Sequence, residues 1–127
     1  MTSEEDMKRA MQAYIAGFNR ADAEAVIALY ADDATVEDPV GKEPLVGKSK
    51  IAEFYRMAIK TGAKLSLAAP VRASHSNSAA MAFDVNLNMP QGRTLIRVID
   101  VMTFNEHGKF KSMRAYWGPG DMEMLGK

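Results

Sequence analysis

From Leu65 to Trp117 the chain reads as four strand-length segments in succession: Leu65 to Arg72, Ala79 to Met89, Thr94 to Asn105 and Phe110 to Trp117. Short polar turns separate the four: His75-Ser76-Asn77-Ser78, Pro90-Gln91-Gly92 and Asn105-Glu106-His107-Gly108. Strands joined this tightly pair antiparallel, because a parallel return needs a long crossover. No helical pattern interrupts them, so any helices must come from the first half of the chain. That order predicts an α+β layer rather than a wound parallel sheet.

The first half supplies three helical patterns. Thr2 with Glu5 can form a capping box, after which Met7, Met11, Tyr14 and Phe18 repeat along one helix face. Asp22 offers a new N-cap, and Val26, Leu29 and Tyr30 predict a short second helix ending near Asp32-Asp33. Ala34 to Glu37 is a brief extended run stopped by Asp38-Pro39, since the residue before proline is driven out of the helical region. Gly47 to Ser49 introduce a third helix, with Ile51, Phe54, Tyr55, Ala58 and Ile59 on one face and Gly62 at its close. The segment Gly118 to Lys127 carries no pattern and reads as a loose tail.

One sheet face must be covered by these helices, and a pocket can open between the layers. At 127 residues and 47% hydrophobic the chain fits a single domain, 1–127, with apolar surface to spare for such a pocket. Sixteen basic residues balance sixteen acidic ones, so there is no net positive field for nucleic acid or an anionic membrane. A small neutral ligand suits it better. The absence of cysteine removes thiolate chemistry and is compatible with a cytoplasmic location. The acidic start does not read as a secretory signal, and no run is long enough for a membrane anchor. His75 and His107 stand far apart in turns, without carboxylates at metal-ligand spacing, and the glycines form no nucleotide-binding loop; neither a metal nor a cofactor is expected.

Three sets of residues break the apolar pattern. In a strand of period two, Asp100 falls in the row Thr94, Ile96, Val98, Met102, Phe104 and should point into the core. An unpaired ionised carboxylate there is too costly, so Asp100 either stays neutral and donates a hydrogen bond, meets a cation such as Arg97 or Arg114, or reaches solvent, since the odd positions are nearly as apolar and a bulge would exchange the faces. Tyr14, Tyr30 and Tyr55 fall on the apolar sides of three predicted helices; they are ordinary core tyrosines or one hydrogen-bonded cluster. Asp38, at a strand end, is either a solvated turn residue or a carboxylate bordering the pocket. Phe54, Met81, Phe83, Val85, Leu87, Met113 and Trp117 are core or the wall of a pocket for a large flat apolar ligand.

The run Leu29-Tyr30-Ala31-Asp32-Asp33-Ala34-Thr35-Val36-Glu37-Asp38-Pro39 resembles the signature of bacterial ketosteroid isomerases. The likeness continues through Ile51 to Arg56, Pro70 to His75, Val98 to Met102 and Met113 to Trp117. It implies a cone-shaped fold like that of nuclear transport factor 2, with three N-terminal helices on a curved, mixed, mostly antiparallel sheet, assembled as a homodimer. It also implies a cofactor-free isomerase moving a double bond of a 3-oxo-Δ5-steroid into conjugation. The resemblance puts the general base on Asp38, the oxyanion donors on Tyr14 and Asp100, supporting tyrosines on Tyr30 and Tyr55, and pocket residues on Phe54, Met81, Phe83, Met113 and Trp117. A neutral acid at Asp100 is the family's established pattern. A cyclase or dehydratase of the same fold, or a non-catalytic carrier of apolar ligands, fits the scaffold as well.

Overall fold

The computed structural model describes residues 2–126. Helix α1, Glu4–Asn19, buries the stripe Met7, Met11, Tyr14 and Phe18. Its cap is Ser3, whose hydroxyl accepts from the Asp6 amide at 3.1 Å, and not Thr2. Thr2 is taken by a tertiary contact instead, its hydroxyl donating to the Asn105 carbonyl. Glu4, Glu5 and Asp6 in the first turn face the positive end of the helix dipole.

Helix α2, Ala23–Ile27, is capped by the Asp22 carboxylate as expected but is shorter than the apolar spacing suggests. Tyr30 does not belong to it: Tyr30 opens strand β1, Tyr30–Glu37, and Asp32-Asp33 is exposed strand, not a helix-end turn. The cause is a register shift between Tyr30 and Thr35 against the neighbouring strand, which breaks the two-residue alternation where it would have marked a strand. A two-residue strand β2, Leu45–Val46, then precedes α3, Lys48–Lys60, so strands and helices are interleaved where three helices followed by four strands were expected.

The remaining strands are β3 Lys64–Leu67, β4 Ser78–Met89, β5 Gly92–Phe104, β6 Phe110–Tyr116 and β7 Met122–Gly126. β3 stops short of Arg72 because Pro70 has no amide to give; the pairing resumes only as a bridge between Arg72 and Ala80. The sheet runs β2-β1-β6-β5-β4-β3, with β7 alongside β5. β1 and β6 are parallel and every other pair is antiparallel. The helices cover one face, where Tyr14, Tyr30, Tyr55, Phe104 and Phe110 meet in the core.

The C-terminal tail is not loose within the described residues. Asp121 accepts from the Gly118 amide at 2.8 Å in a short 3-10 turn, and β7 then pairs with Arg93 to Ile96 of β5. Glu123 bonds Arg97 at 2.6 Å on the outer face. Among the described residues no helix is long and apolar enough to cross a membrane.

Candidate active site

Asp100 lies in register between Met81 of β4 and Ala115 of β6, and the β5 irregularity comes only after Thr103. The two-residue period therefore holds through the acid, and its row faces the helices while Arg97 and Ile99 face outward. Asp100 is 1% exposed, and neither carboxyl oxygen has a hydrogen-bond partner among the described residues. The two cations that could have neutralised it are engaged elsewhere, Arg97 with Glu123 and Arg114 with Glu37. Burial, with a smaller push from the charge on Asp38, raises its pKa well above the carboxylate range. That shift favours the protonated form, and a protonated carboxyl is a hydrogen-bond donor.

The tyrosines come together from three elements. Tyr14 of α1 and Tyr55 of α3 have hydroxyls 3.0 Å apart, and the hydroxyl of Tyr30, on β1, bonds the same Tyr55 oxygen. Burial raises the pKa of all three well above that of a free phenol, so each keeps its proton. A hydroxyl flanked by two others can accept from one and donate to the next, which leaves the last member of the chain a proton to offer outside it.

Asp38 follows directly on the last residue of β1, Glu37, and the Val40 amide bonds the Ala115 carbonyl at 2.8 Å, fixing the following loop to β6. The indole nitrogen of Trp117 donates to Asp38 Oδ1 at 2.9 Å. Burial lifts the Asp38 pKa above its ordinary value, and the Trp117 donor and the charge of Lys42 oppose that lift. Its shift is smaller than that of Asp100, so of the two Asp38 is the one more readily ionised.

Tyr14, Tyr55, Asp38 and Asp100 open onto one cleft of about 720 Å³, counted out to its mouth. Of the expected wall residues, Phe54, Phe83, Val85, Leu87 and Trp117 line it. Met81 and Met113 do not: both are buried in the core, 2% and 1% exposed, outside the cleft wall. Tyr30 also lies off the wall, behind Tyr55. The sequence reading missed Phe18, Leu65, Ile96 and Val98 as wall residues. The signals were present, since Ile96 and Val98 share the row of Asp100 and Phe18 follows Tyr14 by one helical turn. An ionisable carboxylate facing a cleft that also holds two neutral acidic donors can move a proton while negative charge develops on a bound oxygen.

The SnoaL-like domain family matches residues 11–113. Over 117 residues the chain is 38% identical to a steroid Delta-isomerase of Nocardioides simplex, covering 92% of this chain and 94% of that protein. It is 30% identical over 125 residues to the epoxide hydrolase LasB of Streptomyces lasalocidi, a match spanning 95% of this chain and 44% of LasB. The solved structure of SalBIII, an epoxide hydrolase/cyclase-like enzyme of pyran ring formation in the polyether salinomycin, superposes with a TM-score of 0.91 at 27% identity, covering 98% of this chain and 100% of that one. The fold is therefore that of the NTF2-like enzymes. Within them, the chain belongs to the ketosteroid isomerase family.

Proposed function

We propose that the protein is a steroid Delta-isomerase converting 3-oxo-Δ5-steroids to their 3-oxo-Δ4 isomers. The observation that carries the reading is Asp100: a buried acid without a hydrogen-bond partner among the described residues, its pKa raised by burial, sharing an apolar cleft with Tyr14 and Asp38. A steroid ketone would offer the one acceptor that Asp100 lacks, and its rings would meet Phe18, Phe54, Phe83 and Val98.

Asp38 breaks the C4–H bond, and that electron pair forms a dienolate with the negative charge on the C3 oxygen. Tyr14 and Asp100 each donate to that oxygen, and a preorganised donor aimed at developing charge in a dry site contributes far more than it would in water. Tyr30 and Tyr55 extend the donation as a relay ending at Tyr14. Asp38 then returns the proton to C6, the C5–C6 double bond becomes C4–C5, and no atom is gained or lost. The reading extends to a cytoplasmic homodimer that works without a cofactor.

A second reading draws on the likeness to LasB and SalBIII. The same pair suits epoxide opening, with Asp100 donating to the epoxide oxygen and Asp38 drawing the proton from the attacking hydroxyl. The predominantly apolar wall, with its polar groups gathered around Asp38 and Asp100, favours the fused rings of a steroid. Mixing the purified protein with 5-androstene-3,17-dione and following the ultraviolet absorbance of the conjugated enone decides between them. A catalysed rise supports the isomerase. No rise, with turnover of an epoxy alcohol, overturns it for the second reading.

A further inference from the structure

Strand β7 places its side chains in a way the cleft residues alone do not account for. Met122 stands opposite Ile96 and Met124 opposite Thr94, so both share the sheet face of Asp100. The Thr94 hydroxyl lies 3.2 Å from the Met124 sulfur, which confirms that orientation. Glu123 alternates to the outer face and is tied there by Arg97. Ile96 lines the cleft, and the two methionines lie beside it on the same sheet face, next to the cleft wall but not part of it. They are nevertheless 42% and 50% exposed, although their strand is paired, and that leaves a strip of apolar surface uncovered beside Ile96.

Length indicates what covers it. Four residues of strand separate Asp100 from Ile96, roughly 13 Å at about 3.3 Å per residue. Four fused rings anchored by a carbonyl at Asp100 span about that distance, so their far end lies level with Ile96 and Met122. Anything attached to that end passes over Met124. We propose that β7 forms an outer subsite, in which Met122 and Met124 hold an aliphatic substituent on the ring system at the end remote from the reacting carbonyl. The proposal depends on the isomerase reading, and it makes the preferred substrate a steroid that keeps an alkyl side chain.

The test compares cholest-5-en-3-one, which carries such a chain, with 5-androstene-3,17-dione, which has none. The native enzyme should show the higher kcat/KM for the cholestene, chiefly through KM. In the double variant Met122→Gln, Met124→Gln, similar in length but polar, the ratio of the two kcat/KM values should fall about tenfold, the size expected for losing contact with two apolar side chains. A ratio unchanged by the substitutions overturns the subsite. So does a variant whose only change is in oligomeric state by sedimentation, which would make the strip an interface between copies. Trp117, the single tryptophan, lies on the cleft wall, so its fluorescence reads the affinity of both steroids without turnover. If neither steroid isomerises, the isomerase reading fails. Tighter binding of the cholestene that is lost in the double variant would still support the outer subsite, and equal binding would overturn it.

Discussion

Two aspartates share one cleft in different surroundings, and the proposed reading gives them opposite tasks. Asp38 keeps a donor, the Trp117 indole, and feels Lys42, whereas among the described residues Asp100 has no hydrogen-bond partner. A general base must be ionised, so kcat/KM should rise with pH through the Asp38 pKa, which burial sets above that of an ordinary aspartate. Trp117→Phe removes a hydrogen bond that favours the charged form. The acid limb of the profile should then move to higher pH, and an unmoved limb would mean that the indole does not tune the base. Asp38→Asn leaves a carboxamide that cannot accept the proton and should be the most damaging single change, with turnover lost by about ten-thousandfold or more. Asp100→Leu removes one oxyanion donor and should lower turnover by about a hundred- to a thousandfold with the fold intact by circular dichroism. Near-native turnover in either variant would remove that residue from the mechanism.

At the level of elements, the tyrosines join α1, β1 and α3 through one hydroxyl, that of Tyr55. Tyr55→Phe keeps the ring contacts with Tyr14 and Tyr30 but deprives both buried hydroxyls of their partner. Orphaning a buried polar group costs about 1–3 kcal/mol, so urea unfolding should show a loss in that range, and turnover should fall less than in Tyr14→Phe. Unaltered stability together with unaltered turnover would count against the relay. The same trio shows what could be read from the sequence. Tyr14 and Tyr55 sit on regular helical stripes and Asp100 on a regular strand, so period points all three inward, while for Asp100 it leaves a salt bridge or solvent contact open. Tyr30 was misread as helical because the irregular pairing of β1 hides its alternation, although the family signature still assigned it a supporting role. Met81 and Met113 share the chemistry of wall residues, and only three-dimensional packing puts them in the core. β7 was illegible because its five residues are all exposed, so no buried row marks it and its pairing with β5 is purely tertiary.

For the molecule as a whole, an acid whose pKa is raised by burial in the core should make folding depend on pH. In the unfolded chain Asp100 titrates near about 3.9, whereas in the folded protein burial holds its pKa well above that. Between those two values the folded state carries a proton that the unfolded state has released. The stabilisation is therefore fully present below the unfolded pKa and is lost as pH rises toward the folded one, with a slope of about 1.4 kcal/mol per pH unit. Asp38 contributes in the same direction over a narrower window. Asp100→Asn cannot ionise and keeps the side-chain shape, so subtracting its unfolding free energy from that of the native protein isolates the contribution of Asp100. That difference should move steadily against the native protein as pH rises from about 4 toward neutrality, at up to about 1.4 kcal/mol per pH unit. Urea titrations followed through Trp117 at several pH values measure it directly. Parallel stability curves would mean that Asp100 titrates alike in the folded and unfolded chains, and the neutral donor on which the proposed oxyanion site depends would be lost with it. A sloping difference would show a protein less stable at neutral pH than its core could be, because it keeps a proton where an enolate oxygen would need one.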